Sequence, residues 1–296
     1  MTAIRIPLVP VGPGTQPADA DGAELDLITL PDSMVTYTMP DLPEPEQAAV
    51  LPEAMAVLRR ALELLEEATS EGGGSDLRDC LRSSRPASGA IDLVGLDAAN
   101  LALVNQTLGE GEVSVIGLDL AIQESVLAGV WRVQQTRTDG HGTDTVEVGP
   151  IPAAVFTAAE SAPQSTLRLQ PEQLPPGLQN APSLIAELNQ AIASRTVEGE
   201  PYVINLSLLP HTPEDLLWLA EILGAGTLTI LSRGYGNCRI TSTATRHVWW
   251  VQYFNSQDLL ILNTLEVTPV PLAACASRED LEDSRERLQE ILQVIG

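Results

Sequence analysis

The chain has no lysine. All 16 basic side chains are arginine, and 40 acidic residues set against them give a formal net charge of -24 over 296 residues. Nucleic-acid phosphates require clustered cations, and a surface this negative repels them, so general nucleic-acid binding is excluded. A basic partner would be attracted, although acidity also simply maintains solubility. Cysteine is scarce: Cys80, Cys238 and Cys275 are odd in number and widely spaced, which makes neither a disulfide framework nor a paired zinc site and fits a reducing cytoplasm. No apolar run reaches the ~20 residues of a membrane span, so no membrane insertion is expected. The opening apolar run is broken by Pro7, Pro10 and Pro13 and lacks a small-residue cleavage site, so no signal peptide is read. Also missing are a Walker-type phosphate loop, Gly-x-Gly-x-x-Gly and Gly-x-Ser-x-Gly. No catalytic residue, metal site or cofactor is assigned, and the chain is not read as an enzyme.

What is present is repetition. "VEVGPIPAAV", ending at Val155, and "LEVTPVPLAA", ending at Ala274, share Glu-Val-x-Pro-aliphatic-Pro. Proline stops a sheet ladder, so each copy reads as the end of a strand. Upstream, Ile91-Asp92-Leu93 answers Ile204-Asn205-Leu206, Leu108-Gly109 answers Leu223-Gly224, and Val130-Trp131 answers Val248-Trp249. The offset grows only from 113 to 119 positions, as small loop insertions produce. The expected fold is therefore α+β with an internal duplication: a strand-helix-three-strand unit in two pseudo-equivalent halves, mainly antiparallel sheet with flanking helices. Asp97 and Thr212 read as helix N-caps, and Gly109 and Gly224 as left-handed helix ends.

The expected organisation is a Pro-rich arm over 1–45 with one short strand, "ELDLITL"; a first repeat over 46–160 with a preceding helix from Pro52; a connection over 161–180; and a second repeat over 181–296. A final helix with apolar positions Leu281, Leu288 and Ile291 or Leu292 is expected to pack on the second half.

"SRGYGNCRITSTATRHVWW" concentrates the unusual side chains. As a metal site, Cys238 and His247 stand nine positions apart and would need Cys80, Cys275, His141 or His211, none at close spacing. As structure, it is a bulged hairpin with Thr241, Thr243 and Thr245 on a strand. As a partner-binding face, it offers Tyr235, Cys238, Arg239, Arg246, His247 and Trp250. Strand alternation sends Trp249 one way and Trp250 the other. Trp131 matches Trp249, which makes both core positions, whereas Arg132 matches Trp250, whose face is either divergent and available for recognition or cover for a neighbouring helix.

"GPGTQP", "LGEGEVSV" followed by "GVWRV", "GYGNCRITSTATRHVWWVQYFNS" and the final Glu-Val-x-Pro-x-Pro together resemble the hydrogenase expression protein family HupH, also named HyaF or HoxQ. The resemblance implies an accessory chaperone in maturation of an uptake NiFe hydrogenase, binding the immature iron-sulfur small subunit before export. It also implies a twin-arginine signal peptide on that precursor and, as a further partner, a thioredoxin-like hydrogenase accessory protein. The alternatives are an iron-handling or redox accessory protein using Cys238, and an acidic scaffold for other maturation proteins. Ile91 to Glu160 holds ten acidic residues and Ile204 to Ala276 five, so Glu110, Glu112, Asp119 and Glu124 are the carboxylates expected to meet a basic segment.

Overall fold

The computed structural model describes residues 42–70, 89–136, 142–168, 174–195, 200–233 and 237–296. The expected N-terminal strand, Cys80, His141 and Tyr235 lie outside these residues.

Helix α1 (Pro45–Ala49) leads into α2 (Pro52–Thr69), each with proline in the first turn, where its missing N–H costs nothing. The first half continues as β1 (Ala90–Asp92), α3 (Ala98–Leu108), β2 (Val113–Ile116), β3 (Leu120–Glu124), β4 (Val130–Thr136) and β5 (Gly142–Val148). After α4 (Ala153–Glu160) and α5 (Ala181–Ser194), the second half runs β6 (Tyr202–Asn205), α6 (Pro213–Leu223), β7 (Ala225–Ser232), β8 (Asn237–Thr243), β9 (Val248–Phe254) and β10 (Leu260–Val267), and α7 (Arg278–Ile295) closes the chain. Each helix is thus followed by four strands, one more than expected. The Gly117-Leu118-Asp119 turn is short enough that β2 and β3 read in sequence as one apolar run.

Asp97 caps α3 by accepting the Asn100 N–H, and Thr212 with Asp215 forms a capping box on α6. Gly109 and Gly224 end these helices at φ 54° and 64°.

All ten strands among the described residues join one sheet in the order β1-β5-β4-β3-β2-β7-β8-β9-β10-β6, antiparallel at every ladder between strands. The order reads alike from either edge. At its midpoint β2 pairs with β7 about Val115 and Ile230.

Strand alternation separates three cores. On one face, Val115, Ile122, Trp131 and Val133 pack with Ile230, Ile240, Trp249 and Val251 under α4, one core spanning both halves. On the other, Val130, Val146 and Val148 lie under α2, α3 and α7, while Val248, Trp250, Leu265 and Val267 lie under α5 and α6. Helix α7 therefore packs on the first half and not the second: Leu281, Leu288 and Ile295 join Met55, Leu58 and Leu65, and Arg278 Nη2 donates to Thr69 O at 2.8 Å. The second half's face is already closed by α5 and α6, whereas the leucine stripe of α2 needs cover. The chain reaches it by crossing beside the first proline motif, where Ala276 N donates to Pro150 O at 2.9 Å.

Candidate functional site

The repeated Glu-Val-x-Pro-x-Pro has a concrete local role. Where the prolines halt β5, Gly149 O accepts the Trp131 indole N–H at 2.8 Å; where they halt β10, Thr268 O accepts that of Trp249 at 3.1 Å. Both indoles are buried with their polar edge satisfied, as a buried tryptophan requires. Each motif glutamate stands opposite its tryptophan, Glu147 against Trp131 and Glu266 against Trp249, and burial pushes both carboxyls up. The motif belongs to the core.

The residues proposed from the Gly-Tyr-Gly segment divide among three environments. Cys238 faces the shared core opposite Tyr253, 6% exposed, and burial pushes its thiol up to about 12. It remains a thiol at neutral pH, unsuited to nucleophilic or metal-ligating work without rearrangement. Trp250 is 1% exposed, and its indole donates to Asn263 Oδ1 at 2.5 Å under α6. It is core and not a recognition face. The matching position holds Arg132 because α3 there presents Asn105, which accepts from Arg132 Nη1 at 2.6 Å.

Arg246 and His247 form the turn between β8 and β9, and they grip the chain leaving α4. Arg246 N donates to Gln164 O at 2.8 Å and its Nε to Ala162 O at 3.0 Å, while His247 Nε2 meets Glu160 Oε1 at 2.5 Å. His247 sits at φ 62°, a left-handed conformation unfavourable for a side chain of this size, so the surrounding contacts must hold it there. These two residues fasten the connection between the halves. Thr243 ends β8, and Thr245 lies in this turn, donating its N–H to Thr243 Oγ1.

The four acidic positions are not one patch. Glu110 and Glu112 are exposed before β2, and Asp119 is exposed in the turn after it. These two groups sit at opposite ends of a short strand, ~15 Å apart at 3.4 Å per residue. Glu124 is 5% exposed and accepts the Gly129 N–H at 3.1 Å. Burial pushes its carboxyl up to about 7, with Glu112 and Asp280 adding to the rise, so it is no docking carboxylate.

Arg239 points to the sheet face opposite Cys238, its guanidinium 5.7 Å over the Phe254 ring. Strand pairing sets Arg132, Gln123, Ser114, Leu231, Arg239 and Gln252 in one row across β4, β3, β2, β7, β8 and β9. Ser114, Gln123, Leu231 and Arg239 of this row are half-buried, whereas Arg132 meets Asn105 of α3 and Gln252 is 5% exposed. Beside the row, Ile116 is 57% exposed at a cleft of roughly 600 Å³ that Leu118, Asp119, Ala121, Gln134 and Asp144 also line. Most of this open centre was missed in the sequence, where the signal was polar residues at the strand parity that elsewhere carries valine and leucine. No group of three or more His, Cys, Asp or Glu among the described residues is arranged to hold a metal ion. No helix among them is long and apolar enough to cross a membrane.

Fold and surface define the class: an α+β protein built on a ten-stranded antiparallel sheet, open and polar at its centre on one face. The family description "HupH hydrogenase expression protein, C-terminal conserved region" matches twice in succession, over residues 75–173 and 178–295. Similar proteins include the hydrogenase expression/formation proteins HoxQ of Cupriavidus necator, 45% identical over 100% of this chain and 99% of the relative, and HupH of Rhodobacter capsulatus, 48% identical over 98% of each. The hydrogenase-1 operon protein HyaF of Escherichia coli is 32% identical over 96% of this chain and 94% of its own. A solved structure of hydrogenase expression protein HupH from Thiobacillus denitrificans is 31% identical, covering 38% of this chain and 96% of that one, with a TM-score of 0.34. The chain belongs to the HupH hydrogenase expression protein family.

Proposed function

We propose that the protein is a non-catalytic accessory chaperone in hydrogenase maturation, acting in the cytoplasm on the immature iron-sulfur small subunit of an uptake NiFe hydrogenase before export. The observation that carries this reading is the nearly full-length relation to proteins named for hydrogenase expression and formation. A thioredoxin-like hydrogenase accessory protein is the second expected partner. A redox or iron-handling role for Cys238 has less support, because the thiol is buried and its pKa raised.

The precursor's twin-arginine segment, absent from the mature subunit, is the element that an acidic chaperone can distinguish. Glu110, Glu112 and Asp119 remain exposed for it, and the apolar Ile116 and Leu118 beside Asp119 suit the hydrophobic run of such a peptide. Individual exposed ion pairs contribute only ~0 to 1 kcal/mol, so recognition requires these charges together with apolar contact.

The two halves, over 46–160 and 181–296, are proposed to descend from one duplicated unit. Support comes from the two successive family matches, the strand order that reads alike from both edges, and the equivalent Trp–carbonyl bonds.

Affinity-tagged chain, expressed beside either precursor or mature small subunit and purified without oxygen, tests the function. Retention of precursor and not of mature subunit is expected; retention of neither, with other maturation proteins bound, would replace the chaperone reading by the scaffold.

A further inference from the structure

The sheet centre carries a half-buried cation with no carboxylate partner among the described residues. Among the described residues some arginines ion-pair with a carboxylate, Arg60, Arg278 and Arg285 on helices, and others do not. Arg132 does: its Nε and Nη2 donate to Asp144 at 2.9 and 2.7 Å, and its Nη1 reaches Asn105. Arg239, four strands away in the same row, does not. Among the described residues its guanidinium meets only the Phe254 ring, and it has no hydrogen-bond acceptor. The group is half-buried, and burial pulls its pKa below the usual arginine range with no carboxylate opposing.

A planar guanidinium, partly stripped of water and held over a ring with no acceptor among the described residues, is prepared for a bidentate carboxylate. Its neighbours suit a polypeptide. Ser114 offers a hydroxyl, whereas Leu231 and Ile116 offer apolar contact; Gln252 is 5% exposed and the Gln123 amide donates to Gly111 O, Val113 O and Glu124 O. At ~4.8 Å per strand, Arg132 and Arg239 stand ~19 Å apart, the length of about six extended residues.

We infer that the open sheet centre is a docking groove for an extended segment of the immature small subunit, with a carboxylate of that segment paired to Arg239 and apolar side chains on Leu231 and Ile116. This rests on the chaperone reading and adds to it a contact of opposite sign, separate from Glu110, Glu112 and Asp119. A mixed-charge contact of this kind fixes the register of the bound segment, which one-sided attraction does not.

The test compares wild type, Arg239→Gln and Arg239→Lys for binding of purified precursor, with thermal unfolding measured on each. Phenylglyoxal labelling of Arg239 in the wild-type chain, alone and in the complex, is read by mass spectrometry and needs no variant. Precursor binding by Arg239→Gln should weaken about 10- to 100-fold, as loss of a charged hydrogen bond entails. Arg239→Lys should recover part of this, and Arg239 should become unreactive only in the complex. Unchanged binding by a folded Arg239→Gln, or equal labelling free and bound, would overturn the inference while leaving the chaperone reading intact. Protection of Arg239 in the isolated chain, whether by residues 1–41 or by a second copy, would also overturn it. Failure of the wild type to bind precursor at all would instead reject the chaperone reading.

Discussion

Val115 faces Ile230 across the β2–β7 ladder, and through this pairing two five-stranded halves become one sheet with one shared core. The halves are consequently expected to unfold together. Trp131→Ala and Trp249→Ala should each destabilise the whole described body, by ~3 to 5 kcal/mol, as deletions of large buried aromatics do. Urea unfolding followed by far-ultraviolet circular dichroism and by tryptophan fluorescence should give coincident single transitions for both variants. Two separated transitions, each variant moving only one, would contradict the shared core.

Trp250→Ala should cost as much as Trp249→Ala. Both side chains are 1% exposed, and both indole N–H groups are hydrogen-bonded. A loss below ~1 kcal/mol in the same experiment would place Trp250 at a surface after all.

Gly111 and Gly226 mark one constraint in the two halves. A Cβ on Gly111 would stand 2.1 Å from Ser125 O, and one on Gly226 2.2 Å from Ser242 Oγ. Alanine at either site should destabilise by at least ~1 to 3 kcal/mol through overpacking, measured as a lowered urea midpoint.

Glu124 should make stability depend on pH. Its carboxyl is pushed from an ordinary 4.5 to about 7 in the folded chain, mainly by burial. The folded state therefore holds this proton more tightly than the unfolded state, so the contribution is fully present below pH 4.5 and lost as pH rises through 7. Glu124→Gln should remove up to ~3 kcal/mol of that decline. Glu147 and Glu266 shift in the same direction, so the readout is the difference between variant and wild type across pH 4 to 9, roughly the range that spans both protonation states.

Cys238 should resist alkylation in the folded protein. With its pKa near 12, only about one thiol in ten thousand is ionised at a pH near 8, and the side chain is 6% exposed. Iodoacetamide labelling followed by mass spectrometry should find it modified after urea denaturation and not before. Rapid labelling of the native chain would revive the redox alternative.

Local signals carried the parts of this fold that local chemistry decides. Asp97, Thr212, Gly109 and Gly224 bound their helices as capping rules require. The two Trp–Trp faces followed from alternation alone. What alternation does not state is which face is covered. The Arg132 counterpart of Trp250 leaves its face open between recognition and cover by a helix, and α5 and α6 decide for the second by burying it. Glu124 reads in sequence as a surface charge, but it is 5% exposed and accepts the Gly129 N–H. The partner of α7 was likewise hidden, since an amphipathic stripe reports that a helix packs and not against what. The open sheet centre depends on long-range strand order, which brings Ser114 beside Leu231 over more than a hundred residues.

The account centres on recognition of the precursor, and surface plasmon resonance with immobilised precursor and mature small subunit at several salt concentrations tests it most directly. Between 0.1 and 1 M salt the screening length falls from ~10 to ~3 Å. Precursor association should therefore slow and weaken, and should be weaker still for the combined Glu110→Gln, Glu112→Gln, Asp119→Asn variant, with mature subunit bound poorly throughout. Equal binding of precursor and mature subunit, or precursor association indifferent to salt, would contradict the account.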